Sequence, residues 1–173
     1  MNNIIELPSG VNATIKDTLL TIQGPKGVDN ATFNPNNVKV SVLENQLTLE
    51  GKDDGKRAKN AVNTLSAHVN NMIKGVTKEF EYHMAIVYSH FPMTVTKKEK
   101  FVEVMNYLGS KQVKKALIVG ATKVDIKGKD IILKGPSRSD VGQTAANLER
   151  LANTGGKDKR IFQDGVYITS KDH

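Results

Sequence analysis

The sequence predicts an α+β fold: a tandem duplication of one small domain, each copy an antiparallel β-sheet covered by one α-helix. Three observations predict it. Apolar residues repeat at a constant offset of 84 positions in two separated blocks. Within each block they alternate with polar residues, the period of a half-buried strand. Each copy then closes with a stretch in which they recur every three and four residues, the period of a helix.

The offset places Leu7-Pro8 on Phe91-Pro92 and Val40-x-Val42 on Val124-x-Ile126. It also places Leu47-x-Leu49-x-Gly51 on Ile131-x-Leu133-x-Gly135, Ala61 on Ala145 and Asn63 on Asn147. Register is lost between about residues 15 and 35 and their counterparts, so an insertion or deletion belongs there. The two copies are expected at residues 1–82 and 83–173.

In the first copy, Ala13-x-Ile15, Leu20-x-Ile22, Val38-x-Val40-x-Val42 and Leu47-x-Leu49 read as strands. The short polar breaks between them are turn material: Lys16-Asp17-Thr18, Gly24-Pro25-Lys26-Gly27 and Leu43-Glu44-Asn45-Gln46. Such breaks favour antiparallel pairing and a sheet with one wet face. Ala58, Ala61, Val62, Leu65, Val69 and Met72 then fall on one face of a helix, with Gly75 as its expected stop. In the second copy Ser139 is the expected N-cap. Val141, Ala145, Leu148 and Leu151 form the buried stripe, and Gly155-Gly156 the end.

Composition narrows the function. The chain is 38% apolar, 5% aromatic and 25% charged, with no Trp, which describes a globular protein with a thin core and a large polar surface. The absence of Cys rules out disulfides and thiol chemistry. No apolar run approaches the roughly 20 residues of a membrane span, and the N-terminus lacks the order of a signal peptide. A cytoplasmic location and no membrane partner are expected. The net charge is +7, and residues 1–84 hold 9 Lys+Arg against 9 Asp+Glu while residues 85–173 hold 16 against 9. A polyanion should therefore prefer the second copy.

No catalytic constellation is present. Gly51-Lys52-Asp53-Asp54-Gly55-Lys56-Arg57 has three residues between its glycines where a P-loop needs four, and Arg where it needs Ser or Thr. A polar turn with an Asp cap is the better reading. None of His68, His83, His90 and His173 has the spacing of a helical zinc site. His83 and His90 lie across an apparent linker strand, where a structural role fits better. No enzyme activity, metal or cofactor is expected.

The basic clusters carry the functional signal. Gly155-Gly156-Lys157-Asp158-Lys159-Arg160 follows a helix end. Its glycines let backbone approach a polyanion, its cations neutralise phosphates, and Phe162 and Tyr167 stand near for stacking. Lys111, Lys114 and Lys115 form a second cluster. The same asymmetry would also suit a nucleic-acid adaptor working free in solution, which sedimentation of cell extract separates from a particle-bound protein.

Val141-Gly142-Gln143-Thr144-Ala145-Ala146-Asn147, followed by Gly156-Lys157-Asp158-Lys159-Arg160-Ile161-Phe162-Gln163-Asp164-Gly165-Val166-Tyr167-Ile168, resembles the universal large-subunit ribosomal protein L-six family in its archaeal and eukaryotic form. His90-Phe91-Pro92-Met93 resembles it too, and Gly24-Pro25-Lys26-Gly27 matches a glycine turn common there. The resemblance implies a structural constituent of the large ribosomal subunit, present in single copy. It would bind large-subunit rRNA near the sarcin-ricin region and the stalk base, beside neighbouring ribosomal proteins and the docking site of translational GTPases. By the same resemblance the rRNA contacts are Gly155, Gly156, Lys157, Lys159 and Arg160, with Phe162, Tyr167, Lys111, Lys114 and Lys115 added from chemistry. Asp158 interrupts the positive run, and Ile161 precedes the aromatic that bacterial members place directly after the Arg.

Overall fold

The computed structural model describes residues 2–43, 46–53, 55–152, 158 and 160–171. The chain divides into two units, Met1–Glu79 and Phe80–His173. In the first, the strands are β1 (Asn2–Glu6), β2 (Asn12–Lys16), β3 (Leu19–Gly24), β4 (Gly27–Thr32), β5 (Val38–Leu43) and β6 (Gln46–Gly51), followed by helix α1 (Lys56–Thr77). They form two three-stranded antiparallel sheets, ordered β2-β3-β4 and β1-β6-β5.

The alternation read from sequence becomes pairing. Ala13 lies opposite Ile22 and Ile15 opposite Leu20, so the apolar members of β2 and β3 share one face; Leu20 and Ile22 are wholly buried. The Gly24–Gly27 turn joins β3 to β4, with Gly24 and Gly27 as its closing pair. Strand β1 was not legible as alternation. Its two adjacent isoleucines split, Ile5 packing on the core and Ile4 standing 64% exposed.

The second unit repeats this plan. Its strands are β7 (Phe80–Val87), β8 (Thr94–Lys97), β9 (Phe101–Met105), β10 (Lys114–Leu117), β11 (Lys123–Lys127) and β12 (Asp130–Gly135), followed by α2 (Arg138–Leu151) and β13 (Gly165–Lys171). The sheets are ordered β8-β9-β10 and β11-β12-β7-β13. The duplication is visible in the register: Val40 faces Leu49 and Val42 faces Leu47 in one unit, and Val124 faces Leu133 and Ile126 faces Ile131 in the other, the same pairs displaced by 84 positions. Strand β13 breaks the symmetry, because it adds a fourth strand beside β7 that has no equivalent among the described residues of the first unit. The stretch read as a linker is β7, the strand between β12 and β13, whose Phe80, Tyr82, Met84 and Ile86 are all buried.

Each helix closes its own core. Val62, Leu65, Val69, Met72 and Val76 pack with Leu20, Ile22, Leu47 and Leu49 in the first unit. In the second, Val141, Ala145 and Leu148 pack with Met84, Val102, Val104, Ile131 and Leu133. Burying each such side chain stabilises by about 1.5–3 kcal/mol.

Helix boundaries differ from expectation. Gly75 does not stop α1, which continues to Thr77. Val76 is wholly buried and its carbonyl accepts the Lys26 N–H at 3.0 Å, so tertiary contact carries the helix past the glycine. Helix α1 starts after Gly55, which has no side chain to cap it, and Asp54 of the expected Asp cap lies outside the described residues. In α2 the N-cap is Ser137 and not Ser139: its Oγ accepts the Asp140 N–H at 3.4 Å, and Ser139 lies within the first turn. Gly155 and Gly156 lie outside the described residues, and the helix ends at Leu151.

Candidate nucleic-acid interface

The chain leaves α2 at Ala152 and enters β13 at Gly165, and the basic run falls between them in the sequence. Gly155, Gly156, Lys157 and Lys159 lie outside the described residues. Within the rest of the loop, Asp158 organises the backbone. Its carbonyl accepts the Ile161 and Phe162 N–H groups at 3.1 and 2.9 Å, and its Oδ1 accepts the Arg160 N–H at 2.9 Å. The Arg160 side chain is 93% exposed, with Nε 3.5 Å from that same carboxylate. A solvated pair of this kind is worth little, so the guanidinium is available to a phosphate. The Asp that interrupts the basic run is thus a local turn-former.

Phe162 is half-buried and stacks on the His90 ring with centroids 5.0 Å apart and planes at 28°. The Tyr167 hydroxyl donates to the Gln163 carbonyl at 3.1 Å, and the residue is 38% exposed. Lys114 points inward: Nζ donates to the Leu151 carbonyl at the C-terminus of α2 at 3.1 Å and sits 4.3 Å from the centre of the Tyr107 ring. This is the position where a cation best complements a helix dipole. Lys115, next along β10, points to the opposite face, where Nζ lies 3.4 Å from Glu103 Oε1. Lys111 is exposed in the connection ahead of β10. The structure therefore places Lys114 at the end of α2 and Arg160, Phe162 and Tyr167 at or near the return to β13, and leaves Lys115 on another surface.

Sequence reasoning missed the buried polar groups between the end of α2 and the start of β13. Asp164 is 2% exposed, and its Oδ1 accepts the Ser89 N–H at 2.9 Å and the Ser89 Oγ–H at 3.0 Å, with His90 Nδ1 at 3.4 Å. Burial raises the pKa of this carboxyl, but the hydrogen bonds from Ser89 and His90 outweigh it and hold the group below the ordinary aspartate value. Among the described residues its Oδ2 is buried without a hydrogen-bond partner. Tyr107, also buried, donates its hydroxyl to the Ala152 carbonyl at 2.8 Å and lies 3.3 Å from that of Asp164. Burial first, and then the nearby Tyr167 and Asp164, push its pKa up to about 12, so it remains a donor. A sequence search for cations and surface aromatics has no means of finding a carboxylate and a phenol that act from beneath.

Among the described residues no group of three metal-ligating side chains occurs, and no helix is long and apolar enough to cross a membrane.

The family model described as Ribosomal protein L6 matches residues 7–79. A large ribosomal subunit protein uL6 of Methanobrevibacter smithii is 43% identical over 168 residues, 97% of this chain and 94% of the relative. Those of Methanosarcina mazei and Natronomonas pharaonis are each 41% identical, over 96% and 98% of this chain and 95% and 96% of the relatives. Identity of this level across both units, beyond the stretch that the family model matches, means that the chain belongs to the ribosomal protein L6 family, whose members are structural proteins of the ribosome and not enzymes.

Proposed function

We propose that this protein is a structural constituent of the large ribosomal subunit that anchors on large-subunit rRNA chiefly through its second domain, in the neighbourhood of the sarcin-ricin region and the stalk base. The observation that carries this is the pairing of charge with geometry: the unit Phe80–His173 holds 16 Lys+Arg against 10 Asp+Glu, and Arg160 projects from its loop almost fully exposed. Gly155, Gly156, Lys157, Lys159 and Arg160 meet phosphates, and Phe162 and Tyr167 line the base of the contact. Lys111 and Lys115 add electrostatic reach. Lys and Arg against phosphate, and loop backbone against RNA shape, supply most of the binding, with little reading of bases. The first domain, close to neutral, faces neighbouring ribosomal proteins of the stalk base and the translational GTPases that dock nearby. One copy serves each cytoplasmic ribosome.

The test is a titration of the full chain against an rRNA fragment carrying the sarcin-ricin stem, at several salt concentrations, beside a scrambled RNA of equal length. Tight, salt-steep binding that prefers the true fragment is expected, and Arg160→Ala should reduce the slope of log K against log salt by about 1. Equal weak binding to both RNAs would refute the placement, and an unchanged slope would refute direct phosphate contact by Arg160.

A further inference from the structure

The duplication provides an internal comparison of sheet edges. The order β1-β6-β5 in the first unit corresponds to β7-β12-β11 in the second. Leu47 and Leu49 of β6 face Ile5 and Asn3, and their counterparts Ile131 and Leu133 face Met84 and Tyr82. Ile5 therefore stands where Met84 does, and Asn3 where Tyr82 does. Among the described residues β5 and β11 are edge strands in their own units, and so are β2 and β4 in the first and β8 and β10 in the second. One edge differs between the copies. β13 pairs along the far side of β7, while among the described residues no strand pairs along the far side of β1.

The β1 edge is open in shape as well as in pairing. Beside it lies an open groove of about 510 Å³, lined by Asn3, Ile4, Ile5 and Glu6 of β1 and by Ser66 and Asn70 of α1. A strand and the helix packed on it thus flank the groove, as β7 and α2 flank β13 in the second unit. Alternate backbone N–H and C=O groups of an edge strand point away from its sheet, and an exposed edge that carries apolar surface is a template for another strand. Ile4 provides that surface, 64% exposed. The filled position in the second unit gives the geometry: β13 runs antiparallel to β7, with Ile168 opposite Met84 and Tyr167 opposite Ala85. On β1, a strand in that register sets an inward residue opposite Ile5 and an outward one opposite Glu6. Glu6 is exposed, and among the described residues that line the groove it alone is charged. A cation is the residue that best pairs with it across the strands.

We propose that the β1 edge is a docking site for an extended basic segment of a partner protein, which joins the β1-β6-β5 sheet as an antiparallel fourth strand. The partner completes in trans the sheet that β13 completes in cis. The proposal rests on the reading of the first unit as the protein-facing one, and it stands whether or not the second unit binds rRNA. Backbone hydrogen bonds supply the affinity, and alternate side chains select the partner: an apolar residue against Ile5, and Lys or Arg against Glu6.

The test uses the isotope-labelled full chain and two synthetic peptides that copy Gly165–Lys171, one carrying Tyr167→Lys and the other Tyr167→Glu. The lysine peptide should shift the amide signals of Asn3–Glu6 saturably and slow their hydrogen exchange. It should bind about fivefold more tightly than the glutamate peptide, and Glu6→Lys in the protein should invert that order. Unmoved β1 amides at millimolar peptide overturn the proposal, as does equal binding of the two peptides to wild type. Shifts confined to β7 mean that the peptide replaces β13, and they overturn it too. Dimers that form as protein concentration rises and dissociate in Glu6→Lys assign the edge to a second copy of this chain instead. In intact large subunits, a photo-crosslinking residue placed at Ile4 should capture a ribosomal protein. Capture from the exposed Val28 of β4 but not from Ile4 overturns the β1 site and keeps the first unit protein-facing. Capture from neither overturns the reading beneath it.

Discussion

Asp164→Asn should destabilise the second unit by about 2 kcal/mol at neutral pH, and the loss should disappear in acid. The carboxylate Oδ1 accepts two short hydrogen bonds from Ser89. An amide oxygen can accept both, but a neutral acceptor gives up roughly half of a charge-assisted bond, or about 1.5–3 kcal/mol for the two. The amide NH₂ would take the place of Oδ2, which has no partner among the described residues, leaving a buried donor unsatisfied at a cost of about 1–3 kcal/mol. Relief from burying a charge offsets part of this, though by less than the hydrogen bonds contribute, because the net pKa shift of Asp164 is downward. A folded-state pKa below the unfolded one gives stability that is complete above the ordinary aspartate value of about 3.9 and is lost as pH falls through the lower folded value. The deficit of Asp164→Asn should thus stay constant from about pH 8 to pH 5 and narrow below about pH 4. All four tyrosines, Tyr82, Tyr88, Tyr107 and Tyr167, lie in the second unit and there is no Trp, so urea unfolding followed by tyrosine fluorescence reports on this unit. An unchanged midpoint at pH 7, or an equal deficit at low pH, would refute the argument.

Gly24→Ala should destabilise the first unit by about 1–3 kcal/mol, because a Cβ there would lie 2.7 and 2.8 Å from Val76 side-chain atoms and 3.0 Å from its carbonyl oxygen. Thermal melting followed by far-UV ellipticity, to which α1 contributes strongly, checks it, and an unshifted helix transition would count against it. One tyrosine should ionise late: Tyr107, raised to about 12 from 10, favours its neutral form in the folded state. Its contribution, about 2–3 kcal/mol, is intact below pH 10 and lost as pH rises towards 12. A phenolate absorbance titration of wild type against Tyr107→Phe isolates it, and four tyrosines ionising together near pH 10 would contradict the buried environment.

The sequence by itself determined the α+β class, the duplication, the two helices and the family. These are recorded in periodicity and in residue identity, which survive without coordinates. Alternation at Leu20-x-Ile22 or Ile131-x-Leu133 states which side chains face inward, because a strand has only two faces. It does not state which strands pair. β7 read as a linker because its central place depends on β12 and β13 arriving from far along the chain, and a split at Met84, natural from charge counting, would cut it in two.

Tertiary structure alone decided how the basic residues divide. Lys114 and Lys115 are equivalent as letters, yet neighbours on a strand face opposite ways, so one caps α2 under the loop and the other meets Glu103. The same holds for the helix ends: Gly75 is a stop signal until Val76 is buried and bonded to Lys26. Above all, Ser89, His90 and Tyr107 meet residues 45–75 positions away. Hydrogen bonds across such distances leave no local pattern, since they depend on which groups folding brings together and removes from water.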